Sequence, residues 1–135
     1  MLRDEVAELL TRHGLQVTMQ RLDIAEFVLS KPQHVSAEQI LSAMRSRGSR
    51  VSKATVYNTM NLFSDKGLVR TVEVDPDRLY YDSTSEPHFH FYNVDTGELT
   101  DIPVDGVSLA LETALPAGTV RDGVEIVIRV RSSVH

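Results

Sequence analysis

The chain has 135 residues, a length that suits one ordinary domain or two small ones. Its hydrophobic fraction of 41% and charged fraction of 24% are those of a folded protein and argue against a disordered one. It has no cysteine, which excludes disulfides, thiolate zinc sites and cysteine nucleophiles. No apolar run approaches the ~20 residues that span a bilayer, and the first residues lack the pattern of a signal peptide, so we expect a cytoplasmic protein with no membrane partner.

The net charge of −5 is distributed unevenly along the chain. Residues 1–80 carry eleven Lys/Arg and ten Asp/Glu, a net charge of +1, whereas residues 81–135 carry three and nine, a net charge of −6. No acidic residue falls between Glu38 and Asp65, and that window holds Arg45, Arg47, Arg50 and Lys53. Phosphate binding depends on local basic density, so the window is a candidate nucleic-acid contact, with a solvated basic face as the alternative.

Four helices are predicted in the first half of the chain from apolar spacing and from capping residues. The third opens on a capping box in which Ser36 and Gln39 bond each other's backbone N–H, and the fourth carries a buried stripe of Val56, Thr59, Met60 and Phe63. The helices and their limits are Asp4–Arg12 ending near Gly14, a second from Thr18 stopped by Lys31 and Pro32, a third from Ser36 closed by Gly48, and a fourth from Ser52 to about Lys66 with Gly67 as its C-cap.

A hairpin is predicted directly after the fourth helix. Its strands are Leu68–Val74 and Leu79–Asp82, joined by a tight turn at Asp75–Asp77 that contains a proline. Helices followed by a two-stranded hairpin form a winged helix-turn-helix, so residues 1–82 are predicted to be a winged-helix DNA-binding domain. Residues 83–87 are the predicted hinge.

The remaining residues, 88–135, are predicted to form a small α/β dimerisation domain. Strands are expected at His88–Asn93, Glu98–Ile102 and Val124–Val130, in a three-stranded antiparallel sheet, with a short helix at Val107–Leu115. In the last strand Val124, Ile126, Ile128 and Val130 share one face. About 50 residues are too few to bury a good core alone, so a homodimer is expected. The predicted fold class is α+β.

The fourth helix carries a polar face that suits the major groove of DNA. Lys53, Tyr57 and Asn61 lie on that face with Asn58 beside them, and asparagine can pair with adenine while tyrosine can pack on a thymine methyl. The alternative is that both asparagines simply face solvent. Basic residues before the helix and on the wing would grip phosphates. The full predicted DNA-binding set is Arg21, Arg50, Lys53, Thr55, Tyr57, Asn58, Asn61, Arg70 and Arg78.

His88 and His90 are the sharpest chemical signal in the sequence, since residues i and i+2 of a strand point to the same face. Asp82 ends the wing, Asp101 lies on the paired strand and His34 precedes the capping box. Three imidazoles and two carboxylates make a sulfur-free site that suits Fe(II) or Mn(II) as well as Zn(II). The alternatives are a surface histidine at 34 and ordinary strand-end carboxylates at 82 and 101.

At these residues the sequence resembles the ferric uptake regulator (Fur) family along essentially its whole length. The family's regulatory metal site falls on His34, Asp82, His88, His90 and Asp101, and the resemblance implies one divalent metal per subunit. The segments that carry the resemblance are Gly14–Arg21, His34–Glu38, Val51–Met60, Asp65–Val69 and His88–His90.

The sequence departs from the family pattern at two further metal sites of the family. Most members hold a structural zinc with two Cys-x-x-Cys pairs, but Asn93 and Thr96 stand where the first pair would be, so that site is absent. Pro87 and Phe89 replace the ligands of an additional site. Cysteine-free members resemble the iron response regulator and peroxide regulator branches. The former can bind haem through three adjacent histidines, a run that Phe89 interrupts here.

The predicted function is that of a metal-dependent transcriptional regulator that binds inverted-repeat operator DNA as a dimer and controls iron homeostasis or the peroxide response. One alternative is a winged-helix regulator that senses haem or a non-metal effector and whose histidines are structural. Another is a cupin-type metalloenzyme, which the helical first half and the lack of a third nearby histidine disfavour. The chain is therefore predicted not to be an enzyme.

Overall fold

The computed structural model describes residues 2–83 and 89–133, with the backbone alone at Val104. The chain divides into two units, Met1–Ser85 and Glu86–His135. The predicted hinge at 83–87 lies outside the described residues except for Ser83. Ser83 is held by the loop before the first strand, because its backbone N–H donates to the Gln33 carbonyl at 3.1 Å and its hydroxyl donates to the Lys31 carbonyl at 2.9 Å.

The first unit contains the four predicted helices. Side chains at Thr18, Ser36 and Ser52 each accept a hydrogen bond from the backbone N–H three residues on, which fixes where the last three helices begin. The capping box at Ser36 and Gln39 is confirmed, with both of its bonds present. The helices are α1 Arg3–Arg12, α2 Met19–Val28, α3 Ala37–Ser46 and α4 Lys53–Asp65.

A three-stranded antiparallel sheet completes the first unit. Its strands are β1 His34–Val35, β2 Arg70–Asp75 and β3 Arg78–Asp82, in the order β1-β3-β2. The predicted hairpin is confirmed as β2 and β3. Strand β1 was not predicted, because two residues between a proline turn and an N-cap are too short to show a period of two.

One apolar core holds the first unit together. The stripe of α4 is buried as predicted, and it packs with α1, α2 and α3 and with Tyr81 from β3. Gly48 and Gly67 follow α3 and α4 with φ of 80° and 78°, the left-handed conformation that ends a helix at glycine. Of the described residues, twenty apolar side chains of this unit are buried.

The second unit contains a three-stranded sheet of strands β4 Phe89–Asn93, β5 Leu99–Ile102 and β6 Val127–Val130, in the order β5-β4-β6. Strand β5 pairs with β4 antiparallel, but β6 pairs with β4 in parallel, so the sheet is mixed and the prediction of an all-antiparallel sheet was wrong. Since β5 runs opposite to β4, the chain leaves Ile102 at the end of the sheet where β6 begins, and β6 lies beside β4 instead of beside β5. The α+β class itself is confirmed.

The predicted helix at Val107–Leu115 is wrong. A 3₁₀ turn at Val104–Gly106 is followed by irregular backbone through residue 126, and Leu109, Leu111 and Leu115 are exposed. A nine-residue helix gains most of its stability from packing its apolar stripe, and the described residues offer this stripe no surface within the chain. The last strand is also shorter than predicted, since Val124–Ile126 precede β6 as irregular chain.

The four described α-helices have 10 to 13 residues each. Within 2–83 and 89–133, none has the length and apolar character that a bilayer span demands.

Candidate metal and nucleic-acid binding sites

His34 and Asp82 form a cross-strand pair in the first unit. They are direct partners in the β1–β3 register, and His34 Nε2 lies 3.4 Å from Asp82 Oδ2. The capping box of α3 begins immediately after β1 and the Ser83–Gln33 hydrogen bonds follow β3, so both ends of the pair are fixed by backbone structure. The short strand that the sequence did not reveal thus places the imidazole opposite the carboxylate.

The Asp82 carboxyl group is almost fully buried, with only 2% of its side chain exposed. Burial of a carboxylate is costly unless a charge, hydrogen bonds or a metal ion compensates. His34, itself largely buried, supplies an imidazole nitrogen beside it. A largely buried imidazole and a buried carboxylate, side by side on neighbouring strands, are two ligands that a divalent cation accepts.

His90 and Asp101 form a second cross-strand pair, in the second unit. They are register partners in the β4–β5 pairing, with His90 Nε2 3.7 Å from Asp101 Oδ1. His90 is buried whereas 46% of the Asp101 side chain is exposed. This pair has the same ligand chemistry as the first, and only its carboxylate is open to the surface.

The fifth predicted ligand, His88, lies outside the described residues. The four that are described all offer nitrogen or oxygen donors of the type that holds a metal ion. Since the chain contains no cysteine, this donor chemistry fits Fe(II), Mn(II) or Zn(II) and not a thiolate-bound metal.

The polar face of α4 is accessible as predicted. Lys53, Asn58 and Asn61 are exposed, whereas Thr55 is half-buried with its hydroxyl hydrogen-bonded to that of Ser52 at 2.9 Å. The exposed asparagine amides are free of any competing role in the core. They meet the basic requirement for reading base edges.

Tyr57 differs from its neighbours because its ring packs partly on the core. Its hydroxyl donates to Glu38 Oε1 of α3 at 3.1 Å, and Lys53 Nζ lies 3.7 Å from the same oxygen. Burial, and then the Glu38 carboxylate, raise the pKa of Tyr57. The sequence identified Glu38 only as part of the capping segment and as the last acid before the basic window, so its contact with α4 was missed.

The four predicted arginines of the DNA-binding set lie in separate places. A surface groove of about 300 Å³ brings Arg21 together with Thr55 and Asn58, although Arg21 also donates to the Gln16 carbonyl at 2.7 Å. Arg50 precedes α4 and is exposed. Arg78 is exposed beside the turn of the β2–β3 hairpin, whereas Arg70 is exposed at the opposite end of the hairpin, in register with Asp82.

The turn between β4 and β5 occupies the place of the family's first cysteine pair. Asn93 Oδ1 accepts from the backbone N–H of Asp95 at 2.9 Å and of Thr96 at 3.2 Å. Asp95 in turn accepts from the backbone N–H of Ser132 at 3.0 Å, beyond β6. Side-chain hydrogen bonds therefore close this turn and attach the chain after β6 to it.

Comparison with known proteins agrees with these features. The model of the ferric uptake regulator family matches residues 12–119. The ferric uptake regulation protein of Vibrio cholerae is 36% identical over 95 residues, which are 68% of this chain and 63% of that protein. The peroxide operon regulator of Bacillus subtilis is 28% identical over 103 residues, 76% of this chain and 71% of that one. The aligned segment thus spans just under two thirds of the Vibrio relative.

Solved structures show the same fold. The crystal structure of Vibrio cholerae Fur matches with a TM-score of 0.73 at 26% identity, over 93% of this chain and 98% of that one. The Fur structure from Pseudomonas aeruginosa with manganese matches with a TM-score of 0.70 at 26% identity, over 99% and 100%.

The family match covers most of the chain and confirms the resemblance inferred from the sequence. It also confirms the prediction of a regulator and not an enzyme, because the proteins of this family regulate transcription. The chain belongs to the ferric uptake regulator family of DNA-binding, metal-dependent transcription regulators.

Proposed function

We propose that this protein represses or activates transcription by binding an inverted-repeat operator as a homodimer when a divalent cation, Fe(II) or Mn(II), is bound. The observation that carries the proposal is the pairing of a buried carboxylate with an imidazole at Asp82 and His34, matched by a second such pair at Asp101 and His90. Zn(II) fits the same donors in vitro, because affinity for nitrogen and oxygen ligands rises from Mn(II) to Zn(II).

The two pairs serve as the halves of one metal site, with His88 as a further ligand. Binding of one cation by both pairs would fix the orientation of α4 with respect to the dimer. A ligand shifts a conformational equilibrium only through its different affinity for the two states, so ligands drawn from both units are what such coupling requires. Support for this reading comes from the donor chemistry and from the Pseudomonas structure, which holds manganese.

DNA is bound through the exposed face of α4 in the major groove and through basic residues beside it. Support comes from the exposure of Lys53, Asn58 and Asn61 and from the groove that Arg21 and Asn58 both line. The remaining members of the proposed contact set are Arg50, Thr55, Tyr57, Arg70 and Arg78.

Dimerisation occurs through the second unit. Its sheet leaves Phe91 and Ile128, which are register partners on neighbouring strands, on one exposed face. Leu109, Leu111 and Leu115 on the following segment are exposed as well. A second copy of the chain is the natural cover for these apolar side chains, and a dimer places two copies of α4 on a two-fold operator.

The signal is iron availability or peroxide, acting in the cytoplasm. Relatives named for ferric uptake regulation and for the peroxide operon support both roles equally. Titration with peroxide separates them, since a peroxide regulator loses DNA binding after exposure of the iron-loaded protein whereas an iron regulator retains it.

Fluorescence anisotropy on an operator duplex tests the proposal. The duplex is selected from a random-sequence pool by the metal-loaded protein, and binding is measured with Fe(II), Mn(II), Zn(II), haem or chelator. We expect tight binding with a divalent cation, a fall of at least about tenfold with chelator, and weaker binding as salt rises. Equal binding to the duplex with metal and with chelator would refute the proposed metal sensing.

Histidine variants provide the matched control for that measurement. His90→Ala removes a proposed ligand, whereas His13→Ala removes a histidine at the end of α1 whose ring nitrogen contacts the Leu9 carbonyl. We expect only His90→Ala to abolish the response to metal. A haem-dependent response that survives His90→Ala would favour the haem-sensing alternative.

A further inference from the structure

Glu38 of α3 holds two side chains of the DNA-binding helix. Its Oε1 accepts from the Tyr57 hydroxyl at 3.1 Å and lies 3.7 Å from Lys53 Nζ. The Lys53 ammonium also stands 5.9 Å from the centre of the Tyr57 ring. One carboxylate therefore contacts a lysine and a tyrosine one turn apart on the polar face of α4.

The carboxylate of Glu38 is charged at neutral pH. A hydrogen bond from its own backbone N–H, in the first turn of α3, lowers its pKa, and the Tyr57 hydroxyl and the Lys53 ammonium lower it further. Glu38 is also the only acid of α3 and the last before the basic window that ends at Asp65. A fixed negative charge is thus located at the edge of the proposed DNA-binding surface.

We propose that Glu38 is a positioning residue that determines specificity. Its carboxylate orients the Tyr57 ring for the operator, and its ion pair with Lys53 makes the ammonium less available to DNA of random sequence. The inference rests on the proposed function, because it assigns Lys53 and Tyr57 to the DNA surface. A phosphate that approaches Lys53 must displace the Glu38 carboxylate from the ammonium and is also repelled by the charge of that carboxylate. Binding to DNA backbone alone therefore gains little from Lys53.

Binding to operator DNA depends on Tyr57 as well as on Lys53. Where a thymine lies against α4, the Tyr57 ring is already held in place by its hydroxyl, so less side-chain freedom is lost on binding. The carboxylate thus weakens backbone contacts that carry no sequence information and favours a contact that does. Exposed ion pairs are weak, which allows a correct site to displace the Lys53–Glu38 contact.

Glu38→Gln tests the charge, because its amide oxygen can still accept from Tyr57 while Lys53 is released. The full-length metal-loaded protein is titrated with the selected operator and with a scrambled duplex over a range of salt. We expect binding to scrambled DNA to tighten about three- to tenfold and its salt dependence to steepen by about one unit of slope. Operator binding changes less, so the ratio of the two affinities falls.

Glu5→Gln is the matched control. Glu5 is exposed in the first turn of α1, so this change removes the same charge from a similar helix position in the same unit. We expect Glu5→Gln to leave the affinity ratio as in the wild type. Equal shifts in the two variants would mean that net charge alone acts, and would overturn the proposal.

Glu38→Ala separates positioning from charge, since it also removes the acceptor for Tyr57. With uracil in place of thymine in the operator, wild type and Glu38→Gln are expected to bind less tightly, whereas Glu38→Ala no longer distinguishes the two duplexes. A thymine preference that persists in Glu38→Ala would contradict positioning through Tyr57. Thermal unfolding of each variant checks that the fold is intact.

The same experiment separates this inference from the function on which it rests. If the metal-loaded wild-type protein binds no selected duplex, the proposed function fails and the role of Glu38 fails with it. If the wild type binds and both Glu38 variants behave like Glu5→Gln, only the role of Glu38 is overturned.

Discussion

The two units differ sharply in how much apolar surface each buries for itself. Of the described residues, twenty apolar side chains are buried in the first unit but only Tyr92, Leu99 and Ile102 in the second. In the described part of the second unit most of the larger apolar side chains are exposed, and most of those exposed lie on β6 and on the segment before it. The first unit therefore contains its own core, whereas the described part of the second unit buries too few apolar side chains to make a core of that kind.

The largest expected effect is in the core of the first unit. Phe63→Ala removes a fully buried ring from α4 and leaves a cavity, so we expect a loss of about 3–5 kcal/mol in the free energy of unfolding. Urea denaturation followed by circular dichroism measures it. An unfolding transition unchanged by Phe63→Ala would show that this unit does not depend on the core described.

The next largest effect concerns the exposed face of the second unit. Ile128→Glu places a charge where we expect a partner chain, so the dimer dissociation constant is expected to rise by at least about tenfold. Analytical ultracentrifugation measures it, with Val17→Glu in the first unit as a control of similar exposure. Dimers of unchanged strength in Ile128→Glu would refute this interface.

A smaller effect is expected at the turn that lacks the cysteine pair. Asn93→Ala removes an oxygen that accepts two backbone N–H groups, so the second unit is expected to lose about 1–2 kcal/mol. Thermal unfolding of the dimer at fixed concentration reports the change. The comparison variant Asn61→Ala, on the exposed face of α4, is expected to stay within about 0.5 kcal/mol of the wild type.

The smallest effect is expected at Tyr81 of β3. Its hydroxyl is buried and has no hydrogen-bond partner among the residues that the structure describes, and burial raises its pKa. Tyr81→Phe therefore removes an unsatisfied polar group, and stability is expected to be unchanged or to rise by up to about 1 kcal/mol. A loss above that amount in urea denaturation would show that the hydroxyl is bonded in solution.

Prediction of the structure from the sequence succeeded where the signal is local. Side-chain caps at Thr18, Ser36 and Ser52 define helix starts through bonds to residues three positions away, and the proline turn at Asp75–Asp77 defines the hairpin. It failed where the outcome depends on distant partners. The apolar stripe at Val107–Leu115 has a helical period but no surface to pack on among the described residues of the second unit, and β6 pairs with β4 instead of with β5, its neighbour in the chain.

The candidate site divides in the same way. Residue type and spacing predicted His34, Asp82, His90 and Asp101 as metal ligands, which stays a prediction, whereas the register that pairs them two by two is a property of the sheets. The contact of Glu38 with α4 could not be predicted either, since it joins residues fifteen and nineteen positions apart on two helices. The only hint was its place as the last acid before a basic window.

The proposed response to metal requires the two histidine–aspartate pairs to bind a single cation. Anaerobic titration calorimetry with Mn(II), combined with elemental analysis, tests it most directly in the wild type, His34→Ala and His90→Ala. We expect one Mn(II) per wild-type chain and loss of that ion in either variant. Two ions per chain, with each variant losing one and keeping the other, would contradict it.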